Sequence, residues 1–269
     1  MKTVVVCSST DPAGSNIRDR LIEESGFVAT GKVYDSNPVY ENDGVLLVTS
    51  QREIVFVENL DEFFSSPRYI FISRHRAESG IPSLTAHFTG NFSDAQFGGL
   101  PGVIARYSPS LLKSYMIMLS ALKAEVPPQY GITLEATHHG PTSLKGTVMF
   151  VELGSTPDQW GDKIAARCIA KALSQSANSP VREVKCAIAI GGTHYSEKFN
   201  KVLLESDIAL GPIVPKYKLD YLDEAMLNQI IEKGDQKVTC AIVDSKGLGS
   251  HKGRILGLVT EKGLEVIRA

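Results

Sequence analysis

Thr3-Val4-Val5-Val6-Cys7-Ser8 runs without a charge into Ser9-Thr10-Asp11-Pro12-Ala13-Gly14-Ser15-Asn16, and Ile17, Leu21 and Ile22 then recur at helical spacing until Gly26. A short, continuously apolar run bounded by turn residues reads as a strand buried on both faces, as in a parallel sheet. The segment behind it reads as an amphipathic helix with a glycine stop. Strand, turn and helix in that order is the unit of α/β folds. The same unit recurs along the chain. Gly44–Thr49, Glu53–Glu58, Arg68–Ser73, Gly131–Thr137, Thr147–Leu153, Glu183–Ile190 and Lys237–Val243 read as strands. Helices are predicted after Ser108-Pro109-Ser110 (Leu112, Tyr115, Met116, Leu119, Leu122), after Thr156-Pro157-Asp158-Gln159 (Trp160, Ile164, Cys168, Leu173), over Ser196–Leu204 and over Asp223–Lys233. The tail from Lys252 closes the domain, and Ala77–Tyr107 shows no sustained period and reads as a long functional loop. The predicted fold is an α/β three-layer sandwich around a mixed, mostly parallel sheet.

With 269 residues and no repeat, linker or low-complexity tract, the chain reads as one domain, 1–269, burying roughly three-quarters of its unfolded surface. Hydrophobic residues at 43% and charged residues at 22% exclude disorder, collagen and a disulfide scaffold. Cys7, Cys168, Cys186 and Cys240 form no C-x-x-C pair and read as reduced core filler. No apolar run approaches the ~20 residues of a membrane span. The run from Met1 to Val6 is too short for a signal peptide. A cytoplasmic protein without an obligate protein partner is expected.

A net charge of −2 announces no nucleic acid by itself. Its distribution is uneven. Residues 35–62 hold seven acids against Arg52, whereas residues 245–260 hold Lys246, His251, Lys252 and Arg254 and no acid. That asymmetry permits one anion-binding face.

The histidines are the most informative residues. His75, His138, His139, His194 and His251 each follow a predicted strand, and His87 falls mid-loop. Ligands of such sheets bind outside the carboxyl ends of the strands. Glu135 and Glu152 lie inside apolar strand segments, where a charge is costly unless paired or metal-bound. Neighbouring strand side chains point to opposite faces, so His138 and His139 serve one centre only if the chain turns, as Gly140-Pro141 allows. Imidazoles with a carboxylate suit zinc, although no H-x-x-x-H spacing is present. Against this stands a structural reading, with Glu152 partnered by an arginine and His75 and His87 packing a loop. Gly191-Gly192-Thr193-His194, opening a helix, offers a nest of backbone N–H groups, and Ser9–Ser15 a weaker phosphate loop.

Four boxes occur together: His87-Phe88-Thr89-Gly90-Asn91, Thr137-His138-His139-Gly140-Pro141-Thr142, Phe150-Val151-Glu152-Leu153-Gly154-Ser155 and Gly191-Gly192-Thr193-His194-Tyr195. In order and spacing they resemble the D-aminoacyl-tRNA deacylase family of archaea and plants, over nearly the whole chain. The resemblance implies a phosphorylase/hydrolase-like sandwich similar to peptidyl-tRNA hydrolase. It implies hydrolysis of the ester joining a D-amino acid to tRNA, a chiral proofreading step in translation quality control, and zinc, up to two ions per chain. Carried onto this chain, the motifs make His138, His139, Glu152 and His194 the metal candidates. Catalytic candidates are His138, His139, His194 and Glu135. Substrate-binding candidates are His87, Asn91, Gly191, Gly192, Tyr195, Lys198, Lys252 and Arg254. Water activated by zinc or by a histidine, with Gly191 and Gly192 steadying the oxyanion, is the expected chemistry.

Two other readings use the same residues: a zinc amidohydrolase or peptidase acting on a small substrate, and a nucleotide- or RNA-binding module with structural histidines. Lys198, Lys201, Lys216, Lys218, Lys246, Lys252 and Arg254 are the candidate phosphate contacts. If several of them engage tRNA, affinity should fall about tenfold or more between roughly 50 and 200 mM salt in a binding titration. A flat profile would remove that patch from the reading.

Overall fold

The computed structural model describes residues 2–180 and 183–269; Met1, the head of the short N-terminal run, lies outside the described residues. The chain opens with β1 (Thr3–Ser8), buried throughout, and α1 (Pro12–Glu24), started by Asp11, whose side chain accepts from Gly14 N. A meander of β2 (Val28–Tyr34), β3 (Asn37–Asn42) and β4 (Val45–Ser50) follows, then β5 (Arg68–Arg74) and β6 (Ser83–His87). The middle of the chain supplies α2 (Pro109–Ala121), β7 (Gly131–Leu134), β8 (Thr147–Leu153), α3 (Pro157–Trp160) and α4 (Lys163–Ser176). The last third adds β9 (Lys185–Gly192), α5 (Glu197–Glu205), β10 (Ile208–Pro215), a 3-10 helix (Lys216–Tyr221), α6 (Glu224–Glu232), β11 (Val238–Val243), α7 (Lys252–Glu261) and β12 (Glu265–Arg268).

These strands build two sheets. The larger is eight-stranded, ordered β2-β3-β4-β1-β5-β8-β6-β7, with β1, β4, β5 and β8 parallel and β6 antiparallel to β8. The smaller, β10-β9-β11-β12, is wholly parallel. The fold is therefore the expected mixed, mostly parallel α/β arrangement, with its sheet divided in two. One apolar cluster joins the halves, from Ile17 of α1 and Ile70 of β5 through Tyr115 of α2 and Ile169 of α4 to Ile188 of β9. α2 packs on both α4 and β10, and Lys113 on it donates to the carbonyls of Leu203, Ser206 and Ile208.

The seam between the sheets is a three-residue crossing. Glu135 N donates to Ala86 O of β6 (3.1 Å), Ala136 N to His194 O (2.8 Å) and Thr137 N to Ile213 O of β10 (3.0 Å). Thr137 Oγ1 in turn accepts from Ile213 N at 3.0 Å. Consecutive residues thus satisfy backbone groups of both sheets, and the residues beyond them emerge where the carboxyl ends of β5, β8 and β9 meet.

Several elements depart from the sequence expectation. Gly131–Thr137 is not one strand, because β7 ends at Leu134 and the chain crosses to the second sheet. Glu53–Glu58 is not a strand. Ile54 and Val57 are buried while Phe56 is exposed, a three-residue period, and Ile54–Phe56 forms a 3-10 turn. The helix expected behind Thr156 is two helices, because Asp162 starts a second one by accepting from Ile164 N and Ala165 N, leaving Ile164 exposed. β6 was hidden in the aperiodic stretch, so His87 ends a strand instead of lying mid-loop. β10 was not anticipated either. Its Gly211, Pro212 and Pro215 argue against a strand, yet it forms an edge, where proline is tolerated.

Thr137→Val keeps the side-chain shape but leaves Ile213 N without its acceptor. Leaving one buried donor unsatisfied costs about 1–3 kcal/mol. A urea titration should show a lower midpoint at unchanged m-value, and an unshifted midpoint would mean that the seam is not held by this bond.

Candidate active site

Eight side chains from five places in the chain converge on this seam. β5 delivers His75, one residue past its end, where His75 N is held by Leu153 O at 3.0 Å. β8 delivers Glu152, which pairs across to Ser73 on one side and to Thr85 on the other. β6 ends in His87, stacked on Phe150 at 5.4 Å between ring centroids. The crossing brings Glu135, then His138 and His139, and the residues after β9 bring His194 and Tyr195. The turn anticipated at Gly140-Pro141 is present: His139 adopts φ 43° and the Gly140–Pro141 peptide is cis. Both histidines accordingly face one space, with their ring centroids 4.4 Å apart.

Two buried carboxylates organise the cluster. His75 Nδ1–H is directed at Glu152 Oε2 (3.2 Å), while Glu135 Oε1, 3.1 Å from the same nitrogen, accepts no hydrogen bond. Glu152 Oε1 accepts from Ser73 Oγ at 2.8 Å, and Glu135 Oε2 accepts from His194 Nε2 at 2.9 Å. The other ring nitrogen of His194 meets Tyr217 OH at 2.8 Å, and His75 Nε2 meets Tyr195 OH at 3.1 Å. Burial alone would raise both carboxyls, but the imidazole partners outweigh it: His194 and His75 hold Glu135 well below the usual carboxylate range, and His75 and His87 draw Glu152 to about 2. Burial opposes charge on His75 too, yet Glu135 and Glu152 pull it up to about 10. His138 and His139 shift the other way, through burial first and the neighbouring His87 second.

The donor set fits a divalent cation. His87, His138 and His139 each give their Nδ1–H to a backbone carbonyl, of Phe88 (3.1 Å), Ala136 (2.8 Å) and Gly140 (2.6 Å) respectively. This fixes one tautomer in all three and turns three Nε2 lone pairs inward. The three atoms lie within 4.8 Å of one another. His87 Nε2 is sealed from solvent and has no hydrogen-bond partner, and Glu152 Oε1 stands 3.6 Å away. An orphaned lone pair beside a carboxylate favours positive charge at that point: burial opposes charge on His87, yet Glu152 raises it above the usual imidazole range, and a proton or a metal cation meets the requirement. Glu135, His138 and His194 form a second such group, and His75, Glu135 and Glu152 a third.

The expected residues divide clearly. His138, His139, His194, Glu135, Glu152, His87 and Tyr195 come together. His251 does not: it lies beside Asp220 at 3.7 Å. Glu152 is partnered by Ser73 and His75, not by an arginine. Asn91 holds the loop in front of the cleft, donating to Gly98 O and Leu100 O. Gly191 and Gly192 lie within β9, with Gly192 paired to Pro215. Lys198 is bound to Asp244, and Arg254 to the carbonyls of Leu219 and Leu222. Lys252 opens α7 on the surface. The Ser9–Ser15 turn is filled by Asp11, whose carboxylate takes Gly14 N and Arg74 N, leaving no place for a phosphate. Tyr217 was missed on sequence. Its signal was its place two residues beyond a strand end, and that strand was itself not recognised.

A cleft of about 600 Å³ opens onto the cluster, lined among others by Asp11, Arg74, Phe97, His138, Glu152 and His194. Imidazoles and ionised carboxylates at the strand ends of an α/β fold define a hydrolase-type centre. Comparison with known proteins agrees. The profile of the family described as D-aminoacyl-tRNA deacylase matches residues 63–267. The D-aminoacyl-tRNA deacylase of Cenarchaeum symbiosum is 39% identical over 99% of both chains, and that of Thermococcus onnurineus 35% identical over 98% of this chain and 99% of its own. The crystal structure of a conserved protein of unknown function superposes with a TM-score of 0.91 at 28% identity, covering 99% of this chain and 95% of that one. The chain belongs to the D-aminoacyl-tRNA deacylase family.

Gly140 lies against the Phe97–Leu100 loop, with Gly140 N donating to Phe97 O at 3.0 Å. A Cβ at Gly140 would come within 2.3 Å of Gly99 N. Gly140→Ala should therefore displace that loop, lower stability by about 1–3 kcal/mol and speed limited proteolysis near Phe97. Wild-type proteolysis would show that the loop does not depend on this contact.

Proposed function

We propose that this protein hydrolyses the ester bond of D-aminoacyl-tRNA, releasing the D-amino acid and tRNA, and that residues 1–269 act as one deacylase domain. Family membership supports the reaction class, and the continuous apolar cluster shared by both sheets supports the single unit. The observation that carries the mechanism is the convergence of three imidazole Nε2 atoms and two buried carboxylates on one cleft.

His87, His138 and His139, with the Glu152 carboxylate, would hold a zinc ion; His87 takes the place in this set that the sequence assigned to His194. Bound there, zinc supplies Lewis acidity for an ester carbonyl and for water. The remaining chemistry belongs to His194 and Glu135. His194 donates Nε2–H to the buried Glu135, which leaves its Nδ1 lone pair facing the Tyr217 hydroxyl. A substrate that displaces the hydroxyl exposes a base already oriented by a carboxylate. His194 Nδ1 then takes the proton of the attacking water, and Glu135 stabilises the imidazolium so formed. An aminoacyl ester is an activated acyl group, so this moderate assistance suffices. Gly191 and Gly192, inside β9, are less suited to steady the oxyanion than the sequence suggested.

Selectivity against L-aminoacyl esters must come from shape, because both isomers carry the same groups; a wall that meets the wrong side chain sterically is enough. The rim residue Phe97, in the loop facing the cluster, is the proposed wall. No helix among the described residues is long and apolar enough to cross a membrane. We place the activity in the cytoplasm, where aminoacyl-tRNA is used.

Purified protein should release D-amino acids from charged tRNA far faster than L-amino acids, and a chelator should suppress the reaction. His139→Ala and His194→Ala should each lose at least about 10²-fold in turnover while keeping the wild-type circular dichroism spectrum. Near-wild-type turnover in both variants would end this mechanism. Turnover of small amides or esters in preference to aminoacyl-tRNA would favour the amidohydrolase reading.

A further inference from the structure

Tyr217 and Tyr221 bracket the short 3-10 helix Lys216–Tyr221 and are 52% and 49% exposed, unusual for two large aromatics in one turn-length segment. Tyr217 reaches inward to His194, so this segment starts at the active site. Lys218 Nζ lies 5.3 Å from the Tyr221 ring centroid and donates to Ser93 Oγ at 2.8 Å. Lys218 also lines a pocket of about 260 Å³ whose other walls include Phe97, His138 and His139. Lys218 thus links the exposed Tyr221 ring to the pocket that holds His138 and His139, and Tyr217 links the same segment to His194.

The same segment gathers positive charge that the sequence scatters. Arg254 donates to Leu219 O and Leu222 O, which fastens the start of α7, with Lys252, beside the 3-10 helix. Lys216 and Lys252 are exposed and Lys218 half-buried, so this part of the surface carries cations beside the acids Asp94 and Asp220.

We infer that Lys216–Tyr221 is a stacking platform for the unpaired nucleotides at the 3′ end of the tRNA substrate, with Tyr221 and Tyr217 under successive bases and the surrounding cations on their phosphates. This rests on the deacylase reading and extends it to how the acceptor end is held. Exposed aromatics interleaved with cations are what single strands require, because every base has a π-face and every linkage a negative charge. A duplex would give the tyrosines nothing to stack on. The ester, attached to the last unpaired nucleotide, would then reach the cleft beside His194.

Equilibrium binding of uncharged tRNA to the full chain tests this without relying on turnover. Tyr221→Ala should weaken binding of intact tRNA by about 5- to 150-fold. It should leave unchanged the weaker binding of tRNA trimmed of its unpaired 3′ nucleotides. Tyr221→Trp should restore the affinity for intact tRNA, which separates stacking from a folding defect. Equal affinity of wild type and Tyr221→Ala for intact tRNA would overturn the inference, as would an equal loss on trimmed tRNA or failure of the tryptophan to rescue. A platform for a protein partner would show no dependence on the 3′ nucleotides. Absence of deacylation together with Tyr221-dependent binding would refute the enzymatic reading and leave this one standing.

Discussion

Everything in the active site depends on how three consecutive peptide groups are satisfied. Glu135, Ala136 and Thr137 donate in turn to β6, to His194 and to β10. A backbone N–H buried without an acceptor is expensive, so this crossing can exist only where two sheets end side by side. The same geometry that satisfies the backbone drops the Glu135 side chain into the seam and aims His138 and His139 at the cleft.

Burying Glu135 and Glu152 together would be unfavourable in isolation, since each destabilises the charge on the other. Three hydrogen-bonded groups reverse the balance. His75 lies within about 3 Å of both carboxylates, Ser73 donates to one and His194 to the other. The outcome is division of labour among chemically identical side chains. His75 is committed to charge compensation, His194 is oriented by Glu135, and His87, His138 and His139 are each held in one ring orientation by a backbone carbonyl. Histidine alone among side chains switches between these roles near neutral pH, with surroundings deciding which.

Much of this is legible in the amino-acid sequence. Continuous apolar runs such as Val4–Cys7 must be buried on both faces, which identifies a parallel α/β core, and strand-ending histidines in such a fold lie where ligands bind. His138, His139 and His194 are legible that way, and Glu135 and Glu152 as charges inside apolar strand segments. The misreadings share one cause: short segments whose state is set by neighbours rather than by local pattern. Ser83–His87 is too brief to show a period, so His87 was placed in a loop. Ile208–Pro215 carries two prolines, so the strand that positions Tyr217 was overlooked. His251 does follow β11 through a glycine-rich loop, but it pairs with Asp220 and not with the histidine cluster.

Local patterns along the chain are enough for the layered fold, the inventory of imidazoles and carboxylates, and the turn at Gly140-Pro141 that lets adjacent histidines share a centre. These follow from side-chain periodicity and backbone freedom, which act over a few residues. Which imidazole meets which carboxylate, the division of the sheet in two, and the binding of Arg254 to the carbonyls of Leu219 and Leu222 arise from long-range packing. Those outcomes depend on contacts between residues far apart in the chain, where distance, burial and a shared low-dielectric space set the energy, and no local pattern records them.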